Sequence, residues 1–207
     1  MIDPYSLSIS ALALVVSCTT AWLTFFRVGK VRMTQPTVIF FGSEAPRTHN
    51  EFPLPKVFLR TLLFSTSKRG RIIECMYARL CHNETHQNFN IWVYGDDKLV
   101  RGSGLFVGAT GVEANHHFLL PRGNNHYQFD QGNYKLDVFA RLLGDTKYSL
   151  MFTQTLEISP EVAAALTEPG TGLYFDWGPD SSQYMPHVDK KPVSPNPEQF
   201  LELMGLK

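Results

Sequence analysis

The sequence predicts an all-β fold, an antiparallel β-sandwich carried behind one apolar helix, and three observations predict it. Residues 7–26 hold no formal charge and are followed at once by Arg27, Lys30 and Arg32. From residue 37 to 158 the chain is a series of short β-branched and aromatic runs cut by turn residues, with no long apolar stripe at helical spacing. In the run 134–142, Tyr134, Leu136, Val138, Ala140 and Leu142 alternate with Lys135, Asp137, Phe139 and Arg141. That period of two marks a strand with one dry face and one largely wet face.

The apolar run comes first in the chain. Its 20 residues cover about 30 Å at helical rise, the hydrocarbon thickness of a bilayer. Asp3 precedes it and no Lys or Arg does, so it lacks the basic start of a cleavable signal and is expected to be retained as a single-pass anchor. The cations Arg27, Lys30 and Arg32 are expected at the membrane surface. They hold that end on the cytoplasmic side of the cell (inner) membrane, with the N-terminus outside and the C-terminal domain cytoplasmic. Trp22, Phe25 and Phe26 read as interfacial aromatics, and Ser8, Ser10, Ser17 and Thr19 as hydroxyls bonding their own i−4 carbonyls or a neighbouring helix. The expected organisation is an anchor with its basic stop over 1–32, a sandwich over 36–160 and a tail over 161–207.

Eight runs make the strands: 37–41, 56–66, 71–81, 87–94, 99–107, 112–120, 134–142 and 148–158. The separators 66–70 (TSKRG), 95–97 (GDD), 109–111 (ATG) and 144–146 (GDT) supply positive-φ or side-chain-capped turn positions. Leu150, Phe152, Leu156 and Ile158 are expected to face inward, as are Phe89, Ile91 and Val93. Three of the 19 basic and one of the 19 acidic residues lie in the first 33 positions, leaving 16 against 18 in the rest. With no basic excess there, nucleic-acid binding loses its electrostatic footprint. Cys75 and Cys81 fall on one run, about 20 Å apart when extended, too far to bridge. They read as free thiols of a reducing compartment, and the sequon at Asn83 is read as chance.

Residues 129–138, FDQGNYKLDV, resemble the F-x-x-G-x-Y-x-h-x-V corner of immunoglobulin-like sandwiches, h being apolar. The resemblance implies that the Tyr134 hydroxyl bonds upstream backbone while Gly132 makes the turn, both serving architecture rather than catalysis. The cysteine pair that joins the sheets of antibody domains is absent.

After Pro160 a short helix at 161–166 is expected, then a linker or wrapped arm rich in Pro, Gly, Ser and Asp. Its aromatic knot at 173–177 is expected to lie on the sandwich or on a partner. Asn196 and Pro197 start a terminal amphipathic helix in which Phe200, Leu203 and Met204 share a face. These three are the candidate partner-binding anchors, with packing on the chain's own sandwich, or between protomers of a homo-oligomer, as the alternative.

No catalytic residue, metal or cofactor is assigned. The stretch 101–117, RGSGLFVGATGVEANHH, is similar to a segment of trypsin-like proteases of the periplasmic heat-shock class, whose His is a general base. No G-x-S-G follows His117 in this sequence, so the stretch is read as a Gly-rich hairpin feeding a strand with His116 inward and His117 outward. His82 and His86 are read as flanking a turn, since zinc needs three or four converging ligands. Lys68, Arg69 and Arg71 form a basic hairpin tip that joins Arg27, Lys30 and Arg32 as a potential contact for anionic lipid. The expected function is a membrane-tethered, non-catalytic protein-binding or assembly module. The alternatives are an anchored hydrolase or metal-dependent enzyme built on the histidines of 82–86 and 116–126, and an extracytoplasmic adhesion or envelope module of reversed topology.

Overall fold

The structure, a computed structural model, describes residues 3–26, 28–44, 54–95, 100–121, 127–168 and 170–190. Helix α1, Pro4–Ala21, starts where the Asp3 carboxylate accepts the Tyr5 N–H at 3.1 Å and Pro4 brings no donor to the first turn. Ser8, Ser10, Thr19 and Thr20 each donate a hydroxyl to the carbonyl four residues back at 2.8–2.9 Å, so these four polar groups of the apolar helix are satisfied internally. A π-helical turn, Trp22–Phe26, extends it and stacks Trp22 on Phe26. Helix and turn make 23 residues, long and apolar enough to cross a membrane.

Thirteen strands follow among the described residues. They are β1 (Val31–Met33), β2 (Val38–Glu44), β3 (Leu54–Ser65), β4 (Arg71–His82), β5 (Thr85–Phe89), β6 (Ile91–Tyr94), β7 (Val100–Arg101), β8 (Leu105–Val107), β9 (Val112–Leu119), β10 (Gly132–Leu142), β11 (Ser149–Ile158), β12 (Thr171–Gly178) and β13 (Gln183–Lys190). Between β11 and β12 lies α2, Pro160–Leu166, capped by the Ser159 hydroxyl. One sheet runs β13-β12-β2-β3-β9-β6-β7, with β1 on the far end of β3. The other runs β11-β10-β4-β5, with β8 on the start of β4. All pairings are antiparallel.

The two sheets close on one core. Its long dry row is Tyr134, Leu136, Val138, Ala140 and Leu142 of β10, which meets Ala78 and Leu80 of β4, Val57, Leu59 and Leu63 of β3, and Phe118 of β9. Two inward assignments are corrected. Leu150 is 53% exposed, because the β10–β11 register shifts between Val138↔Phe152 and Phe139↔Leu150, a bulge that turns Leu150 outward. The run 87–94 is two strands: the chain changes sheets at Asn90, so Phe89 and Trp92 are buried while Ile91 and Val93 are only half-buried. The run 99–107 divides likewise into β7 and β8, one in each sheet.

Where an irregular arm is expected after α2, the chain forms the β12–β13 hairpin, which extends the first sheet beyond β2. The aromatic knot is a strand: Leu173 and Phe175 are buried opposite Phe41 and Ile39, and Phe175 packs edge-on against Phe41. On the outer side the Phe40 ring covers Gly42 of its own strand and Gly172 of β12, leaving no room for a Cβ at either, and Tyr174 packs against it at 4.8 Å. The edge strand β13 is largely exposed and carries Pro186. Phe175→Ala is expected to cost about 3–5 kcal/mol in denaturant unfolding of the full chain in detergent micelles. A change within about 0.5 kcal/mol would return the hairpin to a loosely attached arm.

Candidate functional site

The outer face of the second sheet gathers its aromatic and cationic side chains at one place, on either side of β10. Two bulges put them there. On β4 the pairing steps from Arg141↔Cys75 to Leu142↔Ile73, inserting Glu74, and on β11 the step between Phe152 and Leu150 inserts Met151. Between the bulges Tyr77 and Phe139 are direct partners, their rings stacked at 4.9 Å and 12°. Tyr148 meets Tyr77 edge-on at 5.1 Å, and Leu150 lies opposite Phe139.

Arginines flank the ring pair on both sides. The Arg79 guanidinium sits over Phe139 at 4.9 Å and over Tyr77 at 5.9 Å, and donates to Asn88 Oδ1 at 3.2 Å. Arg141 sits over Tyr148 at 5.4 Å and donates to Glu74 Oε1 at 2.9 Å. Cys75 Sγ and the Tyr148 hydroxyl are 3.2 Å apart, and this hydrogen bond, with burial, pushes the phenol pKa up. The Arg141 guanidinium, its pKa raised by the hydrogen bond to Glu74, stays charged and the Tyr148 phenol neutral. Flat, half-buried rings with cations fixed over them lose little side-chain entropy when covered, and Tyr and Arg dominate protein-contact energetics.

At the far end of the sandwich the corner geometry is explicit. The Tyr134 hydroxyl donates to the Asp130 carbonyl at 3.0 Å. Gly132 has φ +129°, and a Cβ there would meet His82 Nε2 at 2.8 Å. His82 stacks on Tyr134 at 4.4 Å and donates from Nε2 to the Gln131 carbonyl at 3.1 Å. Burial pushes the Tyr134 pKa up to about 12, and Tyr127 beside it up as well. These groups hold a turn.

The histidines do not assemble. His82 and His86 belong to β4 and β5 in one sheet, whereas His116 points from β9 of the other into the core, fully buried. The Trp92 indole N–H donates to His116 Nδ1 at 3.1 Å, so the neutral ring carries its proton on Nε2, which is buried without a partner among the described residues. Desolvation, then the neighbouring His117, lowers the His116 pKa from 6.5 to about 4. No three His, Cys, Asp or Glu side chains converge as a metal set among the described residues, and His126 lies outside them. Cys75 and Cys81, both on β4, and Cys18 are free.

Of the residues singled out by sequence, Lys30 and Arg32 lie exposed just after the helix, and Lys68 and Arg69 are exposed on the β3–β4 turn. Arg71 pairs with Asp145 at 2.9 Å. Arg27 and the anchors Phe200, Leu203 and Met204 lie outside the described residues. The ring-and-arginine face is the group that sequence reasoning missed, although a signal exists: MYARL at 76–80 and VFARL at 138–142 are the same pattern twice. Antiparallel pairing in register places the two aromatics side by side and sends the arginines to opposite ends.

Tyr134→Phe keeps the stacked ring and loses only the hydroxyl, so it is expected to cost about 1 kcal/mol in chemical denaturation. The unfolded imidazole of residue 116 takes a proton near pH 6.5, while the folded one refuses it until about pH 4. Its contribution to stability is therefore complete above pH 6.5 and is lost as pH falls towards 4, by an amount on the order of 3 kcal/mol. His116→Gln is expected to flatten that part of the stability–pH curve relative to the parent chain. No family model, no curated protein and no solved structure matches this chain.

Proposed function

We propose that this protein is a non-catalytic protein-binding or assembly module, tethered by α1 to the inner face of the cell membrane, that engages its partner through the ring-and-arginine face around Tyr77 and Phe139. The observation that carries the reading is this cluster itself: three aromatic rings and two stacked guanidiniums on the outside of a sheet, with Leu150 exposed beside them. A surface of that composition, half-buried before any partner arrives, has the character of an interface centre.

We also read the sandwich as immunoglobulin-like. Taking β2, β3, β4, β6, β9, β10 and β11 as strands A to G gives the sheet orders A-B-E-D and G-F-C, the constant-type arrangement, with β5 added beside C. The Tyr134 corner falls at the start of F, as that fold requires. The additional pieces, β1, β7, β8 and the β12–β13 hairpin, decorate the edges.

A cytoplasmic position is supported by Lys30 and Arg32, exposed directly after the apolar helix, and by the unpaired thiols of Cys75 and Cys81. The histidine-based enzyme reading has little support, since His82 and His116 are engaged in stacking and core hydrogen bonding. A photo-crosslinking amino acid at Phe139 or Leu150 of the full chain in intact cells is expected to give a discrete protein adduct. The yield should fall about tenfold on Tyr77→Ala or Arg79→Ala. Equal labelling from Thr155, further along β11, would overturn the assignment of the face. Digestion of a C-terminal tag by protease added to intact cells would overturn the sidedness.

A further inference from the structure

The chain leaves the apolar helix without slack. Lys30 N–H donates to the Thr66 hydroxyl and Thr66 N–H donates to the Lys30 carbonyl, both at 2.9 Å, and Gly29 is buried against Ser67. Only three residues, 27–29, separate Phe26 from Lys30, so the four steps between them reach about 14 Å at full extension. The headgroup layer on each side of a bilayer is itself about 5–8 Å deep. The β3–β4 turn is therefore tied to the interfacial zone of whatever membrane α1 crosses.

The surface tied there is mixed apolar and cationic. Val28 is 60% exposed, Phe106 61% and Leu143 57%. Ile72 is the direct β-partner of Phe106, and its carbonyl accepts the Leu143 N–H, so the three adjoin on one end of the second sheet. Beside them Val28, Arg69, Gly70, Arg71, Leu143, Gly144 and Asp145 line an open cleft of about 360 Å³. Asp145 neutralises Arg71. Lys68 and Arg69 project without an ion pair among the described residues, and so does Lys147 of the facing β10–β11 turn. Exposed apolar side chains that shallowly enter a headgroup layer, ringed by uncompensated cations, are what an anionic bilayer surface retains.

We infer that this end of the sandwich is an anionic-phospholipid contact, in which Lys68 and Arg69 meet lipid phosphate and Phe106 and Leu143 enter the headgroup layer, fixing the domain's orientation on its own membrane. The inference rests on the tether reading above. Its test uses the full chain in nanodiscs of neutral phosphatidylcholine and in discs containing phosphatidylglycerol, read by amide hydrogen exchange over 66–71 and 143–148 and by trypsin cleavage after Lys68 and Arg69.

Exchange and cleavage at these turns of the parent chain are expected to slow about tenfold in the anionic discs and to recover at high salt. In the double variant Lys68→Glu, Arg69→Glu, which has no trypsin site at 68 or 69, exchange alone is read and is expected to recover. Exchange in β10 reports that the variant is folded, and Lys68→Gln, Arg69→Gln is expected to give an intermediate effect. Identical protection in both disc types, or protection retained in the charge-reversed chain, overturns the lipid contact while leaving the tether intact. Protection produced equally by inorganic phosphate in neutral discs overturns lipid as the source. Release of the chain from neutral discs by alkaline carbonate overturns the tether, and the contact with it.

Discussion

Strand β10 has to satisfy two neighbours and two environments at once, and most of the molecule follows from that. It hydrogen-bonds to β4 on one side and β11 on the other while its inward row, Tyr134 to Leu142, fills the core. A slip of one residue would exchange Leu136 and Val138 for Lys135 and Asp137 in the dry layer, so its register is fixed by burial. Both partners then accommodate β10 with bulges, so that Glu74, inserted on β4, and Leu150, turned outward by the insertion of Met151 on β11, land on the outer face beside Arg141 and Phe139. The candidate interface is thus a by-product of how the core strand is paired.

How much of this could be read in the sequence depended on whether local pattern carried the information. The inward row of β10, the turn chemistry of 66–70 and the corner at Tyr134 depend on neighbours within a few residues, and the structure agrees with each. The outward turn of Leu150 is not legible in the sequence because a bulge is a property of a strand pair, invisible in either strand alone. The break at Asn90 is a change of sheet, which alternating Phe89, Ile91 and Val93 gave no sign of. The hairpin after α2 was hidden by Pro, Gly and Asp that usually mark loops. Its strand character comes from Phe40 lying across two glycines more than a hundred residues apart in sequence, a long-range fit that local composition does not encode.

Electrostatics divide the domain along the strand direction. Lys68, Arg69 and Lys147, without ion pairs among the described residues, sit at the end clamped to Lys30, whereas the opposite end holds the aromatic and imidazole packing of Tyr134 and His82. The middle of the outer face carries Arg79 and Arg141 already engaged with rings and with Glu74. Charge is free at the end joined to the apolar helix and committed on the ring-and-arginine face, so ionic strength should act mainly on the former.

The largely exposed last strand, with a proline at position 186, has a bearing on self-assembly. An open sheet margin is a template on which a sibling molecule can lay its own backbone, rung upon rung. Proline interrupts that ladder because it offers no amide hydrogen. With Pro186 in its outermost ladder, the sheet blunts its most accessible route to fibrous stacking.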